Sequence, residues 1–422
     1  MPVKKNHNSD HLSKLYIVFT IINKEKMLKL FFTSFFLSFP LIIVDCSLVL
    51  NSVSIILRHG DRNPLYIYPN DPYDETYWKQ HGGVGTMTEQ GKNRIKIAAK
   101  FYRQHYEMLL QESDGTNYQV ITSTVDRAIK TANIFMKEIN KNATFQRNDN
   151  MLYMYAKCDK ATKLRDDRLN EIAPELLPNN TFIDFLRNKT GDEFTDEDTV
   201  KKIRLLFDLA DTLKIERDQL KLNVSDWITD KETVKTMSET ERKIFAKMSN
   251  TPEIQRLRVG LLLKDIRDQM AKNSSQRFYL YSTHDFNQAV LLQALDMYDR
   301  LDKINQMPPT YVSSVVFEVF HNETNEQEKW IRFIYRQFLD VNGTIMNLDE
   351  KILPETCQNE FEFHDGTVLN TGKFCSWQQF TDELLKNLIP DNWDKECQNS
   401  SFANKPMWIT LMIFITILIS NF

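Results

Sequence analysis

The sequence lacks the features that mark several large classes of protein. Its 53 lysines and arginines are outnumbered by 57 aspartates and glutamates, so it has no basic excess for binding nucleic acid. It has no internal repeat and no low-complexity segment, and long apolar runs occur only near the two ends. Its 42% hydrophobic and 26% charged content is that of an ordinary globular chain. We therefore exclude disordered, fibrous, polytopic and nucleic-acid-binding proteins.

Cysteine is scarce, with five residues in 422. Cys46 closes an N-terminal segment that we expect to be removed, which leaves four: Cys158, Cys357, Cys375 and Cys397. An even number of cysteines in an oxidising compartment predicts two disulfides. At this point their pairing stays open, and free buried thiols are the alternative.

The N-terminus has the layout of a secretory signal peptide. Lysines around Met27 precede an apolar run over residues 30–44, which Asp45, Cys46 and Ser47 close. We expect cleavage after Cys46, with Met27 as the working start, so that residues 1–46 are an N-terminal extension and signal peptide. A retained membrane anchor is the alternative, and Pro40 argues against it.

The C-terminal tail, residues 401–422, contains an apolar run over 408–419. At about 1.5 Å per residue, this run is too short to cross a hydrocarbon core of about 30 Å as a helix. Small residues at 399–401 followed by a polar spacer resemble a GPI-attachment signal. We therefore expect possible membrane attachment through the tail; a short single-pass anchor or a tolerated tail are the alternatives.

Eight Asn-x-Ser/Thr sites agree with passage through the secretory pathway. These glycosylation candidates are Asn142, Asn179, Asn188, Asn223, Asn273, Asn322, Asn342 and Asn399. The predicted localisation is extracellular, lysosomal or at the cell surface.

Strands alternate with helices in the first part of the chain. Apolar, often β-branched runs at 53–57, 118–122 and 277–282 predict buried strands, and helical periodicity follows each of them. This alternation predicts an α/β fold with a mainly parallel sheet.

Two later regions depart from that alternation. Residues 162–270 carry mixed-charge helical patterns, such as 193–213 and 240–270, which predict a helical insertion over the sheet. Apolar runs at 311–320 and 330–338 predict a hairpin that adds two strands.

Charged side chains follow three of the predicted strands. Arg58 and His59 follow the first, Arg127 the second, and His284 and Asp285 the third. Ligands bind at the carboxyl ends of parallel strands, so we expect these side chains to share one crevice. Solvated loop charges are the alternative, but they would not explain the common edge.

These residue types suit the transfer of a phosphoryl group. The guanidinium groups of Arg58, Arg62 and Arg127 can each pair two oxygens of a tetrahedral dianion. Neighbouring arginines disfavour the imidazolium form of His59, which leaves a neutral nucleophile. A bound phosphate would raise the pKa of Asp285 by charge repulsion, making it the acid that protonates the leaving oxygen.

The chain resembles the histidine acid phosphatases, the two-step branch of the histidine phosphatases. The motif Arg58-His59-Gly60-Asp61-Arg62-Asn63-Pro64 matches the signature of that family at every position. Further resemblance lies at residues 88–91, 123–127, 281–285 and 307–309. The resemblance implies a phosphoglycerate-mutase-like fold, with a mixed, mainly parallel sheet flanked by helices and an inserted helical cap.

The resemblance also implies site roles. His59 would carry a phosphohistidine and Asp285 would donate the proton. Phosphoryl binding would fall to four residues: Arg58, Arg62, Arg127 and His284. The substrates would be small-molecule phosphate monoesters, with no cofactor and no metal, and a homodimer is possible.

Two disulfides follow from the same resemblance, Cys158 with Cys397 and Cys357 with Cys375. The expected domain spans 47–400, and the apolar tail follows it. Within it we expect an α/β core at about 47–160 and 271–345, a cap at about 161–270, and a disulfide-stapled segment at 346–400.

Two other functions compete with a metal-free phosphatase. A metal-dependent phosphohydrolase could also use a His-Asp dipeptide, but no companion spacing of metal ligands accompanies His284 and Asp285. A secreted, non-catalytic binding protein, such as a venom-type component, could use the same scaffold. The complete set of predicted site residues argues against that alternative.

Overall fold

The computed structural model describes residues 48–398 except 112–117, 196, 273–275, 302–307, 342–343, 351–353, 355–356, 358 and 366–367. The predicted signal peptide and C-terminal tail lie outside the described residues. None of the described helices is both long and apolar enough to cross a membrane.

A mixed sheet of nine described strands forms the centre of the fold. The strands are β1 (Leu48–Arg58), β2 (Tyr118–Thr122), β3 (Thr144–Arg147), β4 (Phe278–Thr283), β5 (Ser314–Asn322), β6 (Asn325–Val341), β7 (Thr344–Glu350), β8 (Asn359–Asp365) and β9 (Val368–Ser376). Their order is β3-β2-β4-β1-β5-β6-β9-β8, with β7 paired to β6. Strands β3, β2, β4 and β1 run parallel, whereas β5 and β6 continue the sheet as an antiparallel hairpin.

Strand β1 lies at the middle of the sheet because both of its faces are apolar. Ile55 and Leu57 enter the core on one face and Ile56 enters the core on the other. All three side chains are fully buried. A strand covered on both faces reads as a continuous apolar run, which is how the sequence predicted it.

Helices cover both faces of this sheet. They are α1 (Glu75–Gln80), α2 (Glu89–His105), α3 (Glu107–Gln111), α4 (Asp126–Ile139), α5 (Asp149–Leu152), α6 (Asp159–Leu176), α7 (Asn180–Thr190), α8 (Thr199–Lys214), α9 (Asp226–Thr229), α10 (Lys231–Lys247), α11 (Pro252–Ala271), α12 (Asp285–Ala294) and α13 (Trp393–Cys397). Helices α2 and α4 pack on the face of Ile55, while α11 and α12 pack on the face of Ile56. Thr88 caps α2 by accepting a hydrogen bond from the amide of Gly91.

The described residues between β3 and β4 are helical or irregular, as predicted for this region. The predicted helix at 193–213 begins only at Thr199, because the side chain of Asp198 caps it. The predicted segment 240–270 is two helices, since α10 ends at Lys247 and Pro252 opens α11. A π-helical turn, Ile215–Gln219, follows α8 directly.

Two disulfides close the C-terminal part of the chain. Cys158 is bonded to Cys397, and Cys357 is bonded to Cys375, which are the pairs that the family resemblance implied. The first bridge spans 239 residues and joins the start of α6 to α13.

The glycosylation candidates divide by exposure. Asn142, Asn179, Asn188 and Asn223 are exposed, and Asn273, Asn342 and Asn399 lie outside the described residues. Asn322 does not fit the prediction, because its side chain is buried in β5 and its amide nitrogen donates to Glu328.

Candidate active site

The carboxyl ends of three parallel strands meet at one edge of the sheet. Arg58 at the end of β1 is in register with Thr283 at the end of β4. Thr122 at the end of β2 is in register with Ser282. This register brings the residues that follow the three strands together, as the sequence analysis expected.

Two glycines let the loop after β1 approach the start of α2. A Cβ atom on Gly60 would lie 2.7 Å from the Cδ1 atom of Ile95 and 3.0 Å from the carbonyl oxygen of Gly91. A Cβ atom on Gly91 would lie only 2.4 Å from the carbonyl oxygen of Asp61. Side chains at these positions would push the loop that carries the predicted nucleophile away from α2.

Arg58 is fixed by three neighbours. Its Nη2 atom lies 2.5 Å from Oδ2 of Asp285, and its Nη1 atom donates to the carbonyl oxygen of Pro309. Its guanidinium carbon lies 4.0 Å from the ring centre of Tyr311, a cation–π contact. The buried Nε atom has no hydrogen-bond partner among the described residues. Arg58 is therefore held in place and still has a donor left.

The other two charged residues of the motif have different partners. Arg62 lies 3.0 Å from Oδ2 of Asp211 in α8. Burial lowers the pKa of Arg62, but Asp211 and nearby acidic groups outweigh burial and raise it. Asp61 instead pairs with Arg94 through two contacts of 2.9 and 3.0 Å. We infer that Asp61 anchors α2 to the loop while Arg62 faces the crevice.

His59 has a defined tautomer. Its Nδ1 atom lies 2.9 Å from the carbonyl oxygen of Gly60, which can only accept a hydrogen bond. Its Nε2 atom accepts a hydrogen bond of 2.9 Å from Nε of Arg127. Thr131 couples the two segments, since its hydroxyl accepts from the amide of Gly60 and donates to the carbonyl oxygen of Arg127. The lone pair of Nε2 therefore points at Arg127, which lines the crevice.

Both histidines of the crevice are held neutral. Burial and the charge of Arg127 lower the pKa of His59 well below its usual range. Burial and the same arginine lower the pKa of His284 to about 3. The Nε2 atom of His284 lies 2.9 Å from the hydroxyl of Ser123, and the two imidazole rings are 5.3 Å apart.

The carboxyl of Asp285 is subject to burial and to two arginines, and its expected rise in pKa beside a bound phosphate stays a prediction. Burial raises its pKa, but Arg58 and Arg62 outweigh burial and hold the pKa below its usual value. The carboxylate also accepts a hydrogen bond of 2.8 Å from the amide of Phe286. The ion pair with Arg58 therefore favours the ionised form of Asp285.

A cavity of about 380 Å³ opens from the predicted nucleophile. Of the predicted site residues, it is lined by His59, Arg62, Arg127, His284 and Asp285. Arg58 lies behind them, in contact with Asp285. The structure thus brings all six predicted site residues together. Among the described residues, no group of three or more histidines, cysteines, aspartates or glutamates could hold a metal ion.

Sequence reasoning missed several supporting residues. Tyr311 under Arg58, Asp211 beside Arg62 and Ser123 beside His284 were given no role. Ser123 could have been found from its place at a strand end, four residues before Arg127. Asp211 gave no signal, because it lies within one of several mixed-charge helices.

Comparison with known proteins agrees with this geometry. The family model of the histidine phosphatase superfamily (branch 2) matches residues 49–150 and 138–336. The chain belongs to this family.

Curated relatives of this histidine phosphatase are acid phosphatases. The chain is 24% identical to rat prostatic acid phosphatase over 380 residues, which cover 83% of this chain and 90% of that protein. It is 26% identical to human lysosomal acid phosphatase over 382 residues, which cover 83% of this chain and 81% of that protein.

Solved structures with the same fold include bacterial phytases. The phytase of Citrobacter braakii matches with a TM-score of 0.60 at 18% identity, over 83% of this histidine phosphatase and 99% of the phytase. The phytase of Hafnia alvei matches with a TM-score of 0.57 at 16% identity, over 84% and 99% of the two chains.

Proposed function

We propose that this protein is an acid phosphatase that hydrolyses phosphate monoesters through a phosphohistidine on His59. The observation that carries the proposal is the environment of the Nε2 atom of His59. Nδ1 is turned to the carbonyl of Gly60, so the lone pair lies on Nε2, where it accepts a hydrogen bond of 2.9 Å from Arg127 at the wall of the crevice. A neutral, oriented imidazole beside a guanidinium group is suited to attack a phosphorus atom that the guanidinium binds.

Substrate binding would rearrange the contacts of Arg127 and Arg58. A phosphate dianion attracts Arg127 away from His59 and Arg58 away from Asp285, because each gains a charge-assisted pair. Arg62 and His284 complete the phosphoryl site. Asp285 then loses its counter-ion and faces a dianion, so its pKa rises and it takes up a proton.

The reaction then proceeds in two steps. The Nε2 atom of His59 forms a bond to phosphorus while the bond to the leaving oxygen breaks, and Asp285 gives that oxygen its proton. In the second step Asp285 takes a proton from water, whose oxygen attacks phosphorus and releases His59 and inorganic phosphate. Acidic pH favours the first step, because Asp285 must be protonated once the substrate is bound.

The relatives and the site together favour catalysis over a non-catalytic binding role. A protein that only binds phosphate has no need for a proton donor at Asp285 or for the fixed tautomer of His59. Hydrolysis of p-nitrophenyl phosphate near pH 5 tests the proposal. We expect turnover by the wild type and loss of turnover in His59→Ala, and equal rates would overturn it.

We also propose a location in the secretory pathway, as the names of the lysosomal relatives and the two disulfides suggest. The signal peptide, the four exposed glycosylation sites, the domain limits, a homodimer and membrane attachment stay predictions. Sequencing of the mature N-terminus, glycosidase treatment, sedimentation and release by phosphatidylinositol-specific phospholipase would test them.

A further inference from the structure

The catalytic cavity extends well beyond the residues that would hold the phosphoryl group. We call its remaining part the leaving-group chamber, and it is lined by Leu65, Tyr153, Met154, Tyr155, Arg165, Leu169, Ile203, Arg204, Phe207, Asp208, Ile244, Met248 and Phe286. Helices α6, α8, α10 and α12 supply eight of these residues. The chamber therefore determines which alcohol can sit next to Asp285.

Most of the chamber wall is apolar and tightly packed. Leu169, Ile203 and Ile244 are each at most 2% exposed. Phe286, next to Asp285, stacks on Phe245 at 4.2 Å between ring centres, and Phe207 lies 5.2 Å from Phe286. A wall of this kind favours an apolar leaving group, which packs against it. A hydroxylated leaving group is disfavoured, because its hydroxyl groups would lose their hydrogen bonds to water there.

The cations of the chamber are already paired. Arg165 places its Nε and Nη2 atoms 2.9 and 2.7 Å from Oδ1 of Asp166. Arg204 binds the same carboxylate oxygen at 2.9 Å. The third charged residue of the chamber is Asp208; burial and the nearby Asp211 raise the pKa of Asp208 to about 6, so it repels an anion only above that pH. A second phosphate on the leaving group would therefore have to compete with Asp166 for both arginines.

We propose that the chamber selects monoesters that carry a single phosphate on an apolar body, and disfavours polyols with several phosphates. This inference rests on the proposed function, since it concerns the alcohol part of the same substrate. It separates this chain from the phytases whose fold it shares, because inositol phosphates present hydroxyl or phosphate groups on every face of the ring.

A series of straight-chain alkyl phosphates tests the inference. Leaving-group acidity hardly changes from ethyl to hexyl phosphate, so the trend of kcat/KM reports burial of the chain. We expect a rise of about fourfold per added methylene until the chamber is full. Phenyl and naphthyl phosphates show whether aromatic bodies fit as well as alkyl chains, and myo-inositol hexakisphosphate serves as the polyanionic comparison. A flat alkyl series, or faster hydrolysis of the inositol compound than of hexyl phosphate, would overturn the inference.

A variant of the wall and a matched control complete the test. Phe207→Ala removes one aromatic wall and should lower the hexyl-to-ethyl ratio of kcat/KM about tenfold. Phe185→Ala, the same change in α7 against Trp227 and away from the chamber, should leave that ratio within twofold. Equal hexyl-to-ethyl ratios of kcat/KM in the two variants would contradict the role of Phe207. Turnover of p-nitrophenyl phosphate is measured in parallel: if it is absent, the proposed function fails, and if it is present with flat ratios, only the chamber inference fails.

Discussion

Replacement of Arg127 by alanine tests the phosphoryl site most informatively, because this arginine affects both binding and the nucleophile. Each hydrogen bond to a charged group contributes roughly 1.5–3 kcal/mol. We expect Arg127→Ala to lose about 2–3 kcal/mol of transition-state binding, which lowers kcat/KM about 30- to 150-fold. Arg127→Lys keeps the charge and loses the planar fork, so its kcat/KM should lie between those of the wild type and Arg127→Ala.

The same substitution should change the pH profile. After burial, Arg127 is the largest influence that lowers the pKa of His59, so its loss raises that pKa. More of His59 is then protonated and non-nucleophilic at acidic pH, and the acid limb of kcat/KM moves to higher pH. Profiles with p-nitrophenyl phosphate from about pH 3.5 to 7 would show the shift. Arg103→Ala, at an exposed arginine of α2, is the control. A change in kcat/KM below threefold in Arg127→Ala would refute the reasoning.

Three further predictions concern the acid, a buried carboxyl pair and a disulfide. Asp285→Asn should lower kcat about 10²- to 10⁴-fold on an alkyl phosphate and much less on p-nitrophenyl phosphate, whose leaving group needs no proton, as steady-state kinetics would show. Burial and the nearby carboxylate of Asp71 raise the pKa of Glu216 to about 9 from 4.5, so the folded state holds its proton more tightly than the unfolded state. The stability from this proton is complete below about pH 4.5 and is lost as pH rises toward 9. In Glu216→Gln, the midpoint of denaturant unfolding should therefore depend less on pH across that range than in the wild type. Replacing Cys158 and Cys397 together by serine should lower the free energy of unfolding by about 4–5 kcal/mol, because the bridge closes a loop of 239 residues.

Each of these predictions has a result that contradicts it. Equal losses on both substrates would show that Asp285 does not protonate the leaving oxygen. If stability depended on pH in the same way in Glu216→Gln and in the wild type, Glu216 would not hold a proton in the folded state over that pH range. A loss below about 1 kcal/mol in the double serine variant would show that the long bridge contributes little to the folded state.

The strands that carry the site were predictable because they are buried on both faces. An unbroken apolar run such as Ile55-Ile56-Leu57 has few interpretations other than a central strand. Once three such strands were placed in parallel, Arg58, Arg127 and His284 had to share an edge of the sheet.

Contacts between distant segments were not predictable from local patterns. The pairing of Arg62 with Asp211 joins a loop to a helix about 150 residues later, and nothing in the helix distinguishes that aspartate from its neighbours. The ion pair of Arg58 with Asp285 holds the pKa of Asp285 below its usual value, which only the three-dimensional contact reveals.

The C-terminal strands were missed for a different reason. We expected a disulfide-stapled segment over 346–400, and the structure places β7, β8 and β9 in or next to it. Strand β8 reads Asn-Glu-Phe-Glu-Phe-His-Asp, in which charged and polar residues outnumber apolar ones. It lies at the end of the sheet order, where it pairs with β9 along its length and with β1 at Phe363.

Trapping of the covalent intermediate tests the central claim most directly. The protein is mixed with a phosphate monoester labelled with ³²P, quenched in alkali within one turnover, and digested for peptide mapping. We predict alkali-stable label on the peptide that contains His59, and no label in His59→Ala. Turnover without any trapped label, or label on another residue, would contradict a phosphohistidine on His59.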